Sequence, residues 1–133
     1  MPPKLTGVLE TALYVKDLDR AVAWYRDVLG LRLLTEFEEK RGAAFRIGAS
    51  ILLLFDPVKC AAPHVLPSHS AQGEGHMAFL VEPAELPRCR AHLMEHGVAI
   101  EKEFSFGGAP PSIYFRDLDG NLLEFAVAAI WPE

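Results

Sequence analysis

Apolar and polar residues alternate from Val8 to Val15, which predicts a strand with Leu9, Thr11, Leu13 and Val15 on one face and Val8, Glu10, Ala12 and Tyr14 on the other. The period then lengthens. Leu18, Ala21, Val22, Tyr25, Val28 and Leu29 fall on one helical stripe, with Asp17 as N-cap and Gly30 just past the end. Three further strands are expected at Arg32–Lys40, Ala43–Ile47 and Ser50–Phe55, punctuated by Gly42 and Gly48. The second half has the same order. Gly75–Glu82 reads as a strand, and Ala84–His96 as a helix with Leu86, Cys89, Leu93 and Met94 inward and Gly97 at its end. Strands are then expected at Ala99–Phe106, Ser112–Arg116 and Asn121–Ala128, the last two joined at Asp119-Gly120.

Placing Glu10 on His76 shifts the chain by 66 residues, and Gly30 on Gly97 by 67. This is an internal repeat. The expected architecture is therefore α+β: tandem βαβββ modules, each a four-stranded mixed sheet with one helix, forming a concave metal or ligand site. Module 1 covers about 5–57, a linker rich in Pro, His and Gly about 58–74, and module 2 about 75–130, all within a single domain over 1–133.

Composition narrows the function classes. The 133 residues are 50% hydrophobic and 23% charged, in the globular range, and 13 basic against 18 acidic residues give a net charge of -5. No basic run exceeds Lys40-Arg41, so neither a nucleic-acid groove nor an anionic membrane patch is expected. The apolar runs are too short to span a bilayer, and the first residues, Met1-Pro2-Pro3-Lys4, carry no secretory signal, so a cytoplasmic location is expected. Cys60 and Cys89 have no metal-binding spacing and read as free thiols of a reducing compartment.

The candidate chemistry sits on the strand faces turned away from the helices. Glu10 lies between Val8 and Ala12, His76 shares a face with Ala78 and Leu80, and Glu124 interrupts the apolar run Leu122–Val127. Each has a purely structural alternative: a solvated Glu10, a hydrogen-bonded His76, and Glu124 paired with Arg46 or Arg116. Together they are three metal-competent side chains on one predicted face, where an uncompensated carboxylate is costly and a divalent cation would supply the compensation.

Three segments resemble the vicinal oxygen chelate superfamily: Glu10 to Leu31, Gly75-His-Met-Ala-Phe-Leu-Val81, and Ile113-Tyr-Phe-Arg-Asp-Leu-Asp-Gly-Asn-Leu-Leu-Glu-Phe125. That superfamily includes glyoxalase I, thiol transferases, extradiol dioxygenases and bleomycin-resistance binding proteins. The resemblance implies metal ligands at Glu10, His76 and Glu124, and Leu53 at a fourth position where no donor is present. The four-ligand pattern of glyoxalase I is thus incomplete. One imidazole and two carboxylates favour Mn²⁺ or Fe²⁺, with Ni²⁺, Co²⁺ or Zn²⁺ also compatible.

The implied function is a metal-dependent enzyme that holds a small-molecule substrate through vicinal oxygens and stabilises an enolate or oxyanion, as a lyase, isomerase, thiol transferase or dioxygenase. Glu124, Glu10 and the linker residue His69 are the candidate catalytic groups. Tyr14, Arg46, Leu53 and Tyr114 are the candidate substrate contacts. The alternative is a metal-free protein that sequesters a drug or metabolite. A homodimer is implied, with a site that can draw Glu10 from one subunit and His76 with Glu124 from the other. His92 and His96 read as helix-surface residues, and Asp17, Asp117 and Asp119 as cap and turn residues.

Overall fold

In a computed structural model that describes all of residues 1–133, the chain divides into two compact units, Met1–Gly73 and Glu74–Glu133. The first unit runs β1 (Glu10–Tyr14), α1 (Leu18–Asp27), β2 (Arg32–Glu36), β3 (Gly42–Ile47), β4 (Ser50–Phe55) and a short α2 (Pro57–Ala61). The second runs β5 (His76–Leu80), α3 (Leu86–Glu95), β6 (Ile100–Phe104), β7 (Ser112–Arg116) and β8 (Leu122–Ala126). Each forms one mixed four-stranded sheet, in the orders β1-β4-β3-β2 and β5-β8-β7-β6. In each, the first strand runs parallel to the fourth and the remaining pairs are antiparallel. No helix is long and apolar enough to cross a membrane.

The helical stripe of α1 does what its spacing predicts. Leu18, Ala21, Val22 and Tyr25 are buried, against a strand face whose Phe45, Leu52 and Leu54 have no solvent exposure. Asp17 caps the helix by accepting from the Arg20 amide at 3.1 Å. In the second unit Leu86 and Leu93 of α3 are buried, as are Ile113, Phe115 and Leu123 of the sheet. Because side chains alternate across a strand, this leaves Glu10, Ala12 and Tyr14 on the opposite face of β1, and His76, Ala78 and Leu80 on that of β5.

Both second strands of the paired elements carry a register shift, at Leu33/Thr35 and at Ile100/Lys102. The intervening residues, Leu34 and Glu101, are 67 positions apart, the same offset that relates Gly30 to Gly97. The repeat thus extends to an irregularity that no hydrophobic pattern displays.

Three expectations change. The strand predicted to reach Lys40 ends at Glu36, because Glu39 and Lys40 adopt positive φ (58° and 54°) in a tight turn and the Phe37 amide donates to the Gly42 carbonyl across its base. The linker begins with a helical turn: Asp56 caps the Val58 and Lys59 amides, and Pro57 takes the first helical position. Met94 is not inward-facing in α3. It is 71% exposed, and Cys89 is half-buried, since α3 presents only a narrow stripe through Leu86 and Leu93.

Arg90 of α3 grips Glu103 of β6, with Nη2 donating to Oε1 at 2.6 Å and Nε bonded to both carboxylate oxygens. The bonded guanidinium holds the Glu103 carboxyl below its ordinary 4.5. A lowered carboxyl pKa stabilises the fold above the ordinary value, and that contribution is lost as acid protonates the group. Glu103→Gln should therefore cost no more than about 1 kcal/mol near pH 7, and wild type and variant should converge in urea unfolding as the pH falls well below 4.5.

Candidate functional site

β8 lies between β5 and β7, so its side chains are flanked on both sides. Glu124 stands opposite Ala78 on one side and Tyr114 on the other, and is only 4% exposed. The small Ala78 leaves open the approach from His76, two residues earlier on the same face. His76 Nε2 lies 3.3 Å from Glu124 Oε1. The second carboxylate oxygen, Oε2, is buried with no hydrogen-bond partner. Stranding a buried charged acceptor costs on the order of 1–3 kcal/mol or more.

The other ring nitrogen of His76 settles its tautomer. Nδ1 is 2.9 Å from the Leu122 carbonyl, which can only accept, so Nδ1 carries hydrogen and donates. In a neutral imidazole Nε2 is then a lone pair aimed at a carboxylate, and something positive must stand between them: a proton or a metal ion. A histidine whose second nitrogen donates to a backbone carbonyl is the usual form of a metal ligand. The donor set therefore fits a divalent cation. Within neither unit do three His, Cys, Asp or Glu side chains gather into a metal-binding group. Glu10, the third expected ligand, lies in the first unit, exposed at the start of β1.

The two units correspond in register. Ala12 pairs with Leu53 as Ala78 pairs with Glu124, and Glu10 lies two residues before Ala12 as His76 lies before Ala78. Where the second unit has a buried carboxylate, the first has an aliphatic side chain. That face of the first unit forms a cavity of about 650 Å³ with Glu10, Leu53, Phe55 and His69 among its lining residues. Gly42 permits this floor: a Cβ there would stand 2.5 Å from the Leu54 carbonyl oxygen and 2.6 Å from the Phe55 ring. His69 Nδ1 is hydrogen-bonded to the Tyr14 hydroxyl at 2.7 Å, and its ring meets Phe55 edge-on at 4.6 Å. Burial, and secondarily the neighbouring Cys60, raises the Tyr14 phenol above its ordinary 10.0, so it stays protonated through neutral pH.

Tyr114 is raised as well, first by burial and then by the charge of Glu124. Its ring stacks near His76, with centroids 6.4 Å apart. Arg116 is engaged by Glu101 and Glu74, while Arg46 is exposed at the far end of β3 and makes no ion pair. His92 and His96 lie against one another at the end of α3, with ring centroids 4.2 Å apart and planes tilted by 38°.

Sequence reasoning missed one residue. Asn121 is 2% exposed; its Oδ1 accepts from the Gly75 amide at 2.7 Å, and its Nδ2 donates to Asp117 Oδ2 at 2.9 Å. Asp117 also accepts from the Asp119 and Asn121 amides. This buried turn ties the residue before His76 to the residue before β8, which sets the two candidate ligands side by side. The signal was present in Asp-Leu-Asp-Gly-Asn, which reads as a turn without indicating what its last residue grips.

A sequence profile of the glyoxalase/bleomycin resistance protein/dioxygenase superfamily matches residues 7–125. Among solved structures, a lactoylglutathione lyase from Agrobacterium tumefaciens superposes with a TM-score of 0.89 at 33% identity, covering 98% of each chain. A metallothiol transferase of Shouchella clausii is 31% identical over 90% of this chain and 79% of its own. A catechol-2,3-dioxygenase of Bacillus subtilis is 30% identical over 84% of this chain, which spans 38% of that protein. The relatives are thus enzymes of three reaction types.

Asn121→Ala would leave the Gly75 amide without its side-chain acceptor and remove the Asn121 Nδ2 donor to Asp117 Oδ2. It should cost about 1–3 kcal/mol in urea unfolding and speed amide exchange at Gly75.

Proposed function

The chain belongs to the glyoxalase/bleomycin resistance protein/dioxygenase superfamily, and from that membership and the His76–Glu124 pair we propose that it is a divalent-metal-dependent enzyme acting on a small molecule with vicinal oxygens. The observation that carries the proposal is the buried, unpartnered Oε2 of Glu124 beside an imidazole whose Nε2 is left as an acceptor. His76 and Glu124 of the second module, with Glu10 of the first, are the proposed ligands, and Mn²⁺ or Fe²⁺ is the proposed ion. The relative from Shouchella clausii supports a metal by its designation as a metallothiol transferase. When bound, the cation supplies electrostatic stabilisation for an enolate or oxyanion.

The chain's own groups do the rest. Tyr114, beside Glu124 and kept protonated by burial, offers a hydroxyl donor to a substrate oxygen. Tyr14 keeps its proton too and can donate a hydrogen bond to His69 Nδ1, which leaves the second nitrogen of His69 carrying the ring's hydrogen. His69 is thereby proposed as a hydrogen-bond donor toward the substrate. Arg46, free of ion pairs, is available to an acidic substituent. Leu53 supplies an apolar wall where a fourth donor would stand, so three protein ligands would leave coordination positions open for substrate. Lyase, isomerase, thiol-transfer and ring-cleavage chemistry all remain within this donor set.

A homodimer belongs to the same proposal. Each four-stranded sheet has two edge strands, and association is one way to cover them.

Elemental analysis after reconstitution with Mn²⁺ should find about one ion per chain in the wild type and a loss of it in Glu124→Ala. Equal metal content in both would overturn the ligand assignment. Light scattering at micromolar concentration should give twice the chain mass; a monomer would rule out a site shared between subunits.

A further inference from the structure

The cavity of the first unit carries information about the ligand that the metal ligands do not. Its apolar walls are Ala12, Leu53, Phe55, Phe37, Leu66 and Pro67. Phe37 and Phe55 stack with centroids 6.2 Å apart and planes 25° from parallel, and the His69 ring closes on Phe55 from the edge. At about 650 Å³ the cavity is within the range of small-molecule pockets, roughly 300–1,000 Å³.

Its charge is as informative as its shape. Glu10 and Glu38 line it with one guanidinium, Arg41, and two imidazoles, His64 and His69, and one Arg41 nitrogen already donates to the Lys59 carbonyl at 2.8 Å. If Glu10 and Glu124 together cancel the charge of a divalent ion, Glu38 and Arg41 still balance. Arg46 is not among the lining residues. A compact anion such as a phosphonate therefore meets no surplus of positive charge, and it would have to shed its hydration against rings and aliphatic groups. A neutral or cationic molecule with an apolar ring system gains on both counts.

We infer that the first unit binds a neutral or cationic ligand with an apolar, ring-bearing body, and that compact multiply charged anions are not its ligands. As a statement about an enzyme substrate this rests on the proposed metal-dependent function. As a statement about the cavity it does not. Leu53 is the selective element. At the position where the second unit places a carboxylate, the first offers methyl groups to a ring.

The test is a titration of the full chain with Nile red, a neutral ring-bearing dye, on samples whose metal content is measured in parallel before and after chelation. The inference expects saturable fluorescence enhancement with or without metal, undisturbed by millimolar methylphosphonate. Leu53→Glu and Phe37→Ala, each checked by circular dichroism, should each weaken binding by about tenfold or more. Phe37 lies outside the strands, so its truncation reports on the cavity even if Leu53→Glu fails to fold. No saturable binding, displacement by methylphosphonate, or wild-type affinity in Phe37→Ala would overturn the inference. Dye binding lost with metal retained would defeat the cavity assignment alone, and dye binding without any metal uptake would defeat the enzyme proposal alone.

Discussion

A buried carboxylate on the central strand β8, with one oxygen beside an imidazole and the other left without a hydrogen-bond partner, is the constraint on which the second unit turns. Glu124 reaches that state because β8 is flanked by β5 and β7, so water cannot approach it along the sheet. His76 cannot relieve it as a neutral ring, since its only hydrogen is spent on the Leu122 carbonyl. The geometry therefore calls for a proton or a cation between the two side chains. The Asp117–Asn121 turn makes the demand persistent by anchoring Gly75, and with it the start of β5, to the start of β8.

The first unit shows what the same framework does without that demand. Leu53 stands where Glu124 stands, in the same register, and the face becomes an apolar cavity bounded by Phe37 and Phe55. Two copies of one module thus differ at one register position: the second unit has a buried carboxylate beside an imidazole, the first an aliphatic side chain at the floor of an apolar cavity. The second unit packs through the opposite face of its sheet, where Ile113, Phe115 and Leu123 have no exposure. Placing strain on one face and packing on the other lets the donors be set by chemistry instead of by packing.

The duplicated βαβββ order was readable from periodicity because helices and sheets bury one face each, and Ser50–Phe55 and Ser112–Arg116 have the boundaries that their patterns predict. Less legible was anything set by backbone turns. The positive φ values at Glu39 and Lys40 end β2 four residues early, and the helical turn at Pro57 was marked only by its cap. At the site, the alternation along β5 and β8 placed His76 and Glu124 on one face. Nothing in the alternation announced the Asn121 clasp, because its partner is a backbone amide 46 residues away, and a backbone amide has no sequence signature.

The most direct test of the central claim is the protonation state of the His76 ring, read from long-range proton–nitrogen NMR correlations before and after addition of Zn²⁺. The account predicts that Nδ1 carries hydrogen throughout and that Nε2, without hydrogen in the metal-loaded protein, shifts on metal addition. A hydrogen that remains on Nε2, with no change at either nitrogen when Zn²⁺ is added, would contradict it.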